Sequence, residues 1–365
     1  MESESTNIDE VVVTAMGINR QEKSLGYSVS TVKSDELTAA RENSVINSLA
    51  GKMAGVNVSA SSGTPGGSAR IIIRGQSSLG TSGQPIFVID GVPVSNSSYN
   101  PAGIQGNVDA GSRIGDISSD DIESMSVLKG AAATALYGAR AKDGAVIITT
   151  KRGAKNMKTT VSVNSSFRMD RVLKLPEFQN EYAPGNPQTG EYSVSYLNGW
   201  GPRIADVQDQ EYTIFTGEKV KLQAYPDNVK DFYNTGYTFI NSVSASGGDE
   251  KNDFRLGFSA HNQTGIVPSN DYDKYNITFN GGHQFTEKLS ARVSVSYANV
   301  KSEGRPAQGS NDVNVLIPTI NSIPRTLDMK TIRENWITED EKAYAIDGTS
   351  SGKTNNPFWI INKNT

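Results

Sequence analysis

"LSARVSVSY", Leu289 to Tyr297, sets Leu, Ala, Val, Val and Tyr at every second position, with Ser, Arg, Ser and Ser between them. A period of two is that of a β-strand, whose successive side chains point to opposite faces, so this strand has one apolar and one polar face. The alternation recurs upstream. Val161, Val163, Phe167 and Met169 alternate with Ser162, Asn164, Ser166 and Arg168. Phe254, Leu256, Phe258 and Ala260 alternate with Arg255, Gly257, Ser259 and His261, and Tyr275, Ile277 and Phe279 with Asn276, Thr278 and Asn280. A weaker strand runs from Tyr237 to Ala245, with Asn241 interrupting its apolar face. Most of these approach the about 9 to 11 residues with which a tilted strand crosses a bilayer.

The connections bear on what the strands build. "SGGDEKND" joins the second strand to the third and "TEK" the fourth to the fifth, whereas the other connections are longer polar stretches. Alternating short and long loops are expected of a transmembrane barrel, and a soluble sandwich has no reason to show them. Tyr237, Tyr275, Phe285 and Tyr297 near strand ends suit aromatic girdles, although ordinary packing also places tyrosine there. Five strands cannot close a barrel, and open edges in lipid would leave backbone groups unpaired, so the chain is expected to be a fragment.

Composition agrees with a β-rich membrane protein. The 365 residues are 36% hydrophobic with a mean hydropathy of −0.43. No stretch nears the roughly 20 apolar residues of a spanning helix. Thirty-five basic against 39 acidic residues, with no basic stripe, argue against nucleic acid as a partner. There is no cysteine and only two histidines, His261 and His283, so no Cys/His zinc cluster is available. Those histidines lie on different strands without an evident nucleophile and are expected to face a wet lumen, not to form a triad. "SNDYD", Ser269 to Asp273, lacks the spacing of a calcium loop. No enzyme activity, cofactor or metal is expected. The polar, acidic Met1 to Asn7 are no signal peptide, which is expected to have been removed or to lie upstream.

The first 155 residues read as a small α/β unit. Val45, Ile46, Leu49, Ala50 and Met53 lie at helical spacing, predicting a short amphipathic helix over 43–54. After the glycine-rich turn "SSGTPGG", "ARIIIRG" looks like a central strand, its Arg70 and Arg74 pairing with nearby carboxylates. "PIFVIDGVPV" predicts a hairpin turning at Asp90-Gly91. Farther on come a strand over Met125 to Lys129, an alanine-rich helix over Ala131 to Ala139 and a strand over Ala145 to Thr150. "GQSSLGTS", Gly75 to Ser82, imitates a phosphate loop but carries Thr81 where the lysine belongs, so it reads as an exposed turn. Near the start, "IDEVVVTA" puts three valines beside an open terminus; on pattern alone it is either a strand of this unit or a strand awaiting another protein.

Taken together, "IDEVVVTA", "ARIIIRG", "PIFVIDGVPV", "IESMSVLKGAAATALYGARAKDGAVIITTKRG" and "NNPFW" at Asn355 to Trp359 resemble the SusC/RagA family of TonB-dependent outer-membrane transporters. The resemblance implies a mainly β chain with a small α/β plug domain, forming the incomplete N-terminal part of a 22-stranded antiparallel transmembrane β-barrel. It divides the chain into a periplasmic segment with the TonB box (1–25), a plug (26–155) and the first strands with long external loops (156–365). Ile8, Asp9, Glu10, Val11, Val12, Val13, Thr14 and Ala15 would then bind TonB by strand addition. Arg70, Arg74, Gly75, Asp90, Gly91, Lys129, Gly130, Tyr137 and Gly138 would be structural residues of the plug. Tyr99, Asn100 and Arg113, in the long loop after the hairpin, are candidate substrate contacts, with a solvated loop as the plainer alternative. The implied activity is import of glycan oligosaccharides or peptides across the outer membrane of a Bacteroidetes-type cell, with TonB, a SusD-like surface lipoprotein and outer-membrane lipid as partners. A surface receptor or passive porin not driven by TonB is the competing class, and a porin would need no plug.

Overall fold

The computed structural model describes residues 11–13, 19–21, 29–39, 42, 44–60, 63–75, 83–96, 108–109, 111–129, 137–193, 200–306, 316–346 and 356–363. At the start, β1 (Val11–Val13) pairs antiparallel with β2 (Asn19–Gln21), apart from every other sheet. The α/β unit follows, with β3 (Val29–Lys33), β4 (Val56–Ala60), β5 (Ala69–Ile73), β6 (Ile86–Ile89), β7 (Val92–Val94), β8 (Ile122–Leu128) and β9 (Ala145–Thr150). Five of these form a sheet in the order β3-β8-β9-β6-β7, antiparallel except for the parallel β6–β9 pair. Its core packs Leu37, Ile46, Leu49, Ile71, Phe87, Ile114, Met125 and Ile148.

The hairpin turns at Asp90 (φ 47°) and Gly91 (φ 90°), the positive φ pair that an Asp-Gly turn supplies at least cost. Two expectations need correction. "ARIIIRG" is not central: among the described residues β5 pairs only with β4, and burial alternates along it, with Ala69, Ile71 and Ile73 inside and Arg70 and Ile72 half-buried. The strand buried on both faces is β9, whose Ala145 to Ile148 run is covered throughout. The helix over 43–54 shrinks to a 3₁₀ turn, Asn47–Leu49, although Val45, Ile46, Leu49 and Met53 are buried as a helix would have buried them. Gly51 (φ 73°) and Gly55 (φ 72°) leave the helical region and stop propagation before a stable helix length is reached. Most of the alanine-rich stretch lies outside the described residues; its end is a turn at Tyr137 and a 3₁₀ turn over Gly138–Ala141.

The wall opens with β10 (Thr160–Asp170). A lobe containing the small β11 (Glu211–Thr213) and β12 (Lys219–Lys221) intervenes before β13 (Gly236–Gly248), β14 (Asn252–Thr264), β15 (Asp271–Thr286) and β16 (Leu289–Glu303). The five long strands form an antiparallel meander, β10-β13-β14-β15-β16, of 11 to 16 residues each. The connection expected to be long between β14 and β15 is only residues 265–270, because the polar run after His261 continues the strand: Asn262, Gln263 and Thr264 pair with Asp273, Tyr272 and Asp271.

Burial on the wall inverts the rule for soluble sheets. Leu256 is 51% exposed and its neighbour Arg255 only 5%. Phe239, Val243, Phe258, Ile277, Phe279 and Val295 are likewise exposed, while Thr238, Ser242, Ser259, Asn276 and Asn280 are buried. An apolar outer face over a polar inner one is the alternation of a barrel standing in lipid. Even Asn241 conforms, since Ser165 Oγ donates to its Oδ1 at 2.7 Å across the β10–β13 pair.

The described residues of 171–193, 200–235, 316–346 and 356–363 form a lobe with its own core, in which Phe215, Phe232, Ile320, Ile332, Phe358 and Ile361 meet. "NNPFW" lies here. Asn356 caps the helix Pro357–Lys363, its Oδ1 accepting from Phe358 N at 3.0 Å with proline in the first helical position. Its buried Nδ2 faces the carbonyls of Asn335 and Tyr344, each at 3.2 Å, so one amide ties three segments together. Among the described residues no helix is long and apolar enough to cross a membrane.

Candidate functional site

The inner face of the wall receives the α/β unit, and the contacts concentrate on β14 and β15. Strand parity turns Arg255, Lys274, Asn276 and Asn280 inward, where each finds a group of that unit. Arg255 Nη1 donates to Asp121 Oδ1 at 2.7 Å and its Nη2 to Asp120 O at 3.3 Å; Asp121 is 8% exposed, so both charges are withdrawn from water. Lys274 Nζ donates to Gly115 O at 2.9 Å, Asn276 Nδ2 to Asp116 O at 2.6 Å and Asn280 Nδ2 to Lys151 O at 3.0 Å. The segment 115–121 approaches the wall as an irregular run of 3₁₀ turns, Arg113–Asp116 and Ser119–Asp121, and so presents carbonyls that a sheet would have used.

A second contact stands at the lobe end. Gly66 (φ +65°) lies against Tyr272, where a Cβ would come 2.2 Å from the ring, and at Gly111 (φ +84°) a Cβ would come 2.7 Å from Gly66 O. The glycines of "TPGG" therefore permit close approach to the wall. Arg305 closes this corner by donating to Asp109 O and lying 5.9 Å from the centre of the Tyr272 ring. The Asp109 carboxylate accepts from Ser68 N (2.8 Å) and Gly111 N (3.0 Å).

Several sequence-predicted residues hold the unit together. Asp90 accepts from Thr150 N (3.1 Å), Thr150 Oγ1 (2.5 Å) and Arg152 Nη2 (3.2 Å), locking the hairpin turn to β9. Lys129 Nζ donates at 2.6 Å to both Ser30 Oγ and Ala54 O. Burial, and then the Arg74 guanidinium, hold the Lys129 ammonium below its ordinary pKa. Arg74 (φ 58°) is exposed, its charge acts on Lys129, and Gly75 (φ 91°) completes the turn. Arg70 lies opposite Ser59 on β5, and Tyr137 packs on the cluster of Val29, Val88, Leu128 and Ile147 beside Gly138 (φ 70°).

Other expectations are met only partly. Val11 to Val13 form β1; Ile8, Asp9, Glu10, Thr14 and Ala15 lie outside the described residues, as do Gly130, Tyr99 and Asn100. Arg113 is exposed on its 3₁₀ turn, one residue from the buried Ile114. His261 lies on the inner face against the Tyr272 ring, 5.3 Å between centres. His283 does not face the lumen. It stands on the outer face near the short-turn end, bonded to Asn252 Oδ1 at 2.7 Å and packed edge-on to Phe285. Sequence reasoning missed Asp121, Lys274 and Arg305 altogether. For Lys274 the available signal was charge on the polar face of a strand whose other face is meant for lipid; Asp121 and Arg305 lie off the wall strands and carried no such signal.

A wall apolar outside and polar inside, with a compact α/β unit bonded to its inner face, defines a plugged transmembrane β-barrel. Residues 21–145 match the TonB-dependent Receptor Plug Domain family. TonB-dependent receptor SusC of Bacteroides thetaiotaomicron is 32% identical over 298 residues, covering 81% of this chain and 26% of that receptor. TonB-dependent receptor P26 of Formosa agariphila is 28% identical over 313 residues, covering 83% of this chain and 28% of that protein. The RagAB peptide importer in its "closed-closed" state shares the fold with a TM-score of 0.63 at 21% identity, over 92% of this chain and 37% of that one. These likenesses support a SusC/RagA-type TonB-dependent receptor, and the chain spans about a quarter of the length of the curated relatives it matches.

Proposed function

We propose that the chain is the N-terminal part of an energised importer that carries a glycan oligosaccharide or a peptide across the outer membrane, beneath a SusD-like lipoprotein lid. The lobe end is then external and the short-turn end periplasmic. A seated plug obstructs passive flow, so work must reach it from the periplasm, and in this reading TonB delivers it by adding a strand at Ile8 to Ala15. The observation that carries the proposal is that Val11 to Val13 take up β-structure outside the plug sheet, with one neighbouring strand among the described residues. The other edge of β1 offers main-chain donors and acceptors to a partner.

Tyr99, Asn100 and Arg113 are proposed to meet cargo on the external face of the plug. A surface receptor would use the same plug without a pull. Deleting residues 8–15 from the full-length protein, and measuring uptake of labelled oligosaccharide and peptide mixtures by whole cells, separates the two. Uptake is expected to fall to background while surface binding stays; uptake that survives the deletion refutes the proposal.

A further inference from the structure

Among the described residues the two banks of the wall meet the plug differently. On β14 and β15 long side chains bridge to it through Arg255, Lys274, Asn276 and Asn280. On β10 and β13 the inner face near the short-turn end carries Ser162, Asn164, Ser242, Ser244 and Ser246, and a cavity of 360 Å³ separates them from the plug. That is the scale of a small-ligand site, about 300–1,000 Å³. Across the cavity the lining is balanced in charge: Asp120, Asp121 and Glu123 against Lys151, Arg152 and Arg255.

Toward the lobe end the polar inner face continues along the seam between the two banks, with Thr238 on β13 beside His261 and Gln263 on β14. All three are more than nine-tenths buried, and Thr238 Oγ1, His261 Nε2 and Gln263 Oε1 have no hydrogen-bond partner among the described residues. Buried polar atoms without partners are rare in native folds, and a column of them above a serine-lined gap is suited to a hydrogen-bonding guest.

We propose that cargo passes between the plug and the β10–β13 bank, the β14–β15 bank staying attached, and that the passage suits an uncharged extended chain rich in hydroxyl or amide groups. A neutral glycan and a peptide backbone share that chemistry. Serine hydroxyls and the Asn164 amide offer exchangeable donors and acceptors, and the charges farther along the same face, Arg168 and Asp170, pair with each other at 3.1 Å. The inference rests on the import reading above, and adds where the plug yields and to what.

Cysteine accessibility in a full-length protein with no other cysteine tests it. Ser242 (8% exposed) and Asn276 (2%) are both buried at rest, on opposite banks. Ser242→Cys and Asn276→Cys are exposed in cells, with and without TonB, to maleimides linked to a neutral oligosaccharide or to an uncharged peptide. Thr278→Cys provides a second β15 position should loss of the Asn276 bond disturb folding. TonB is expected to raise labelling of Ser242→Cys at least 10-fold while Asn276→Cys and Thr278→Cys stay unlabelled, and the faster probe identifies the cargo class. A response on the β15 bank alone, or an equal response on both banks, overturns the passage and leaves import standing. No response to TonB at any position overturns import, and the passage with it.

Discussion

Arg255→Met removes the cation from the most deeply buried ion pair described between plug and wall. The substitution keeps most of the side-chain length but leaves Asp121, 8% exposed, without its partner at 2.7 Å, and Asp120 O without the guanidinium at 3.3 Å. Breaking a buried pair from one side costs about 3–5 kcal/mol, because the remaining charge is left desolvated. At 1.4 kcal/mol per factor of ten, seating of segment 115–121 should weaken by about two to three and a half powers of ten. Hydrogen exchange of that segment in the full-length protein reads this out, with the β15–β16 pair as an internal reference. Arg255→Met with Asp121→Leu should recover most of the protection, since an apolar pair carries no desolvation debt. Unchanged protection in the single variant, or a double variant as poor as the sum of the singles, would refute the reasoning.

Gly66→Ala should unseat the lobe-end contact by about 2 kcal/mol or more, combining a positive φ with a ring 2.2 Å and a guanidinium 2.7 Å away; in a Tyr272→Ala, Arg305→Ala background only the backbone cost of about 1–2 kcal/mol should remain, read from denaturant midpoints. Asn356→Ala should cost the lobe about 2–4 kcal/mol through the lost cap and two buried carbonyls, seen as faster proteolysis of 316–363 with the wall unaffected. Ser165→Ala strands the Asn241 amide oxygen on the lipid face and should destabilise the wall by about 1–3 kcal/mol, whereas Ser165→Ala with Asn241→Leu should be neutral or stabilising by unfolding in vesicles. Lys129 is held below its ordinary pKa of 10.5 in the folded plug, so between the lowered value and 10.5 the unfolded chain binds more protons. Plug stability should therefore rise with pH across that window, and Arg74→Ala should narrow it; a fall with pH would contradict the assignment.

The wall was legible because a period of two survives in every strand, and its apolar face has to be continuous for lipid. Its extent was not, since Asn262 to Thr264 and Asp271 to Asp273 are as polar as loop residues yet pair with one another. The three isoleucines of β5 mimic a strand buried on both faces, but only alternate residues are covered, which sequence period cannot tell from a full run in five residues. Asp121 and Arg255 lie 134 residues apart, and each looks like an ordinary solvated charge until the fold presses them together. Asn356 was marked only by a family resemblance; its role as cap and cross-tie emerges from the segments it joins.

The proposed import mechanism turns on strand addition at Val11 to Val13. Val12→Pro in the full-length protein removes one main-chain donor at the centre of β1 without touching the plug sheet. Its affinity for the periplasmic domain of TonB, measured by calorimetry, is expected to drop at least 10-fold with plug and wall intact by hydrogen exchange. Binding as tight as that of the unaltered protein would show that TonB does not grip this strand.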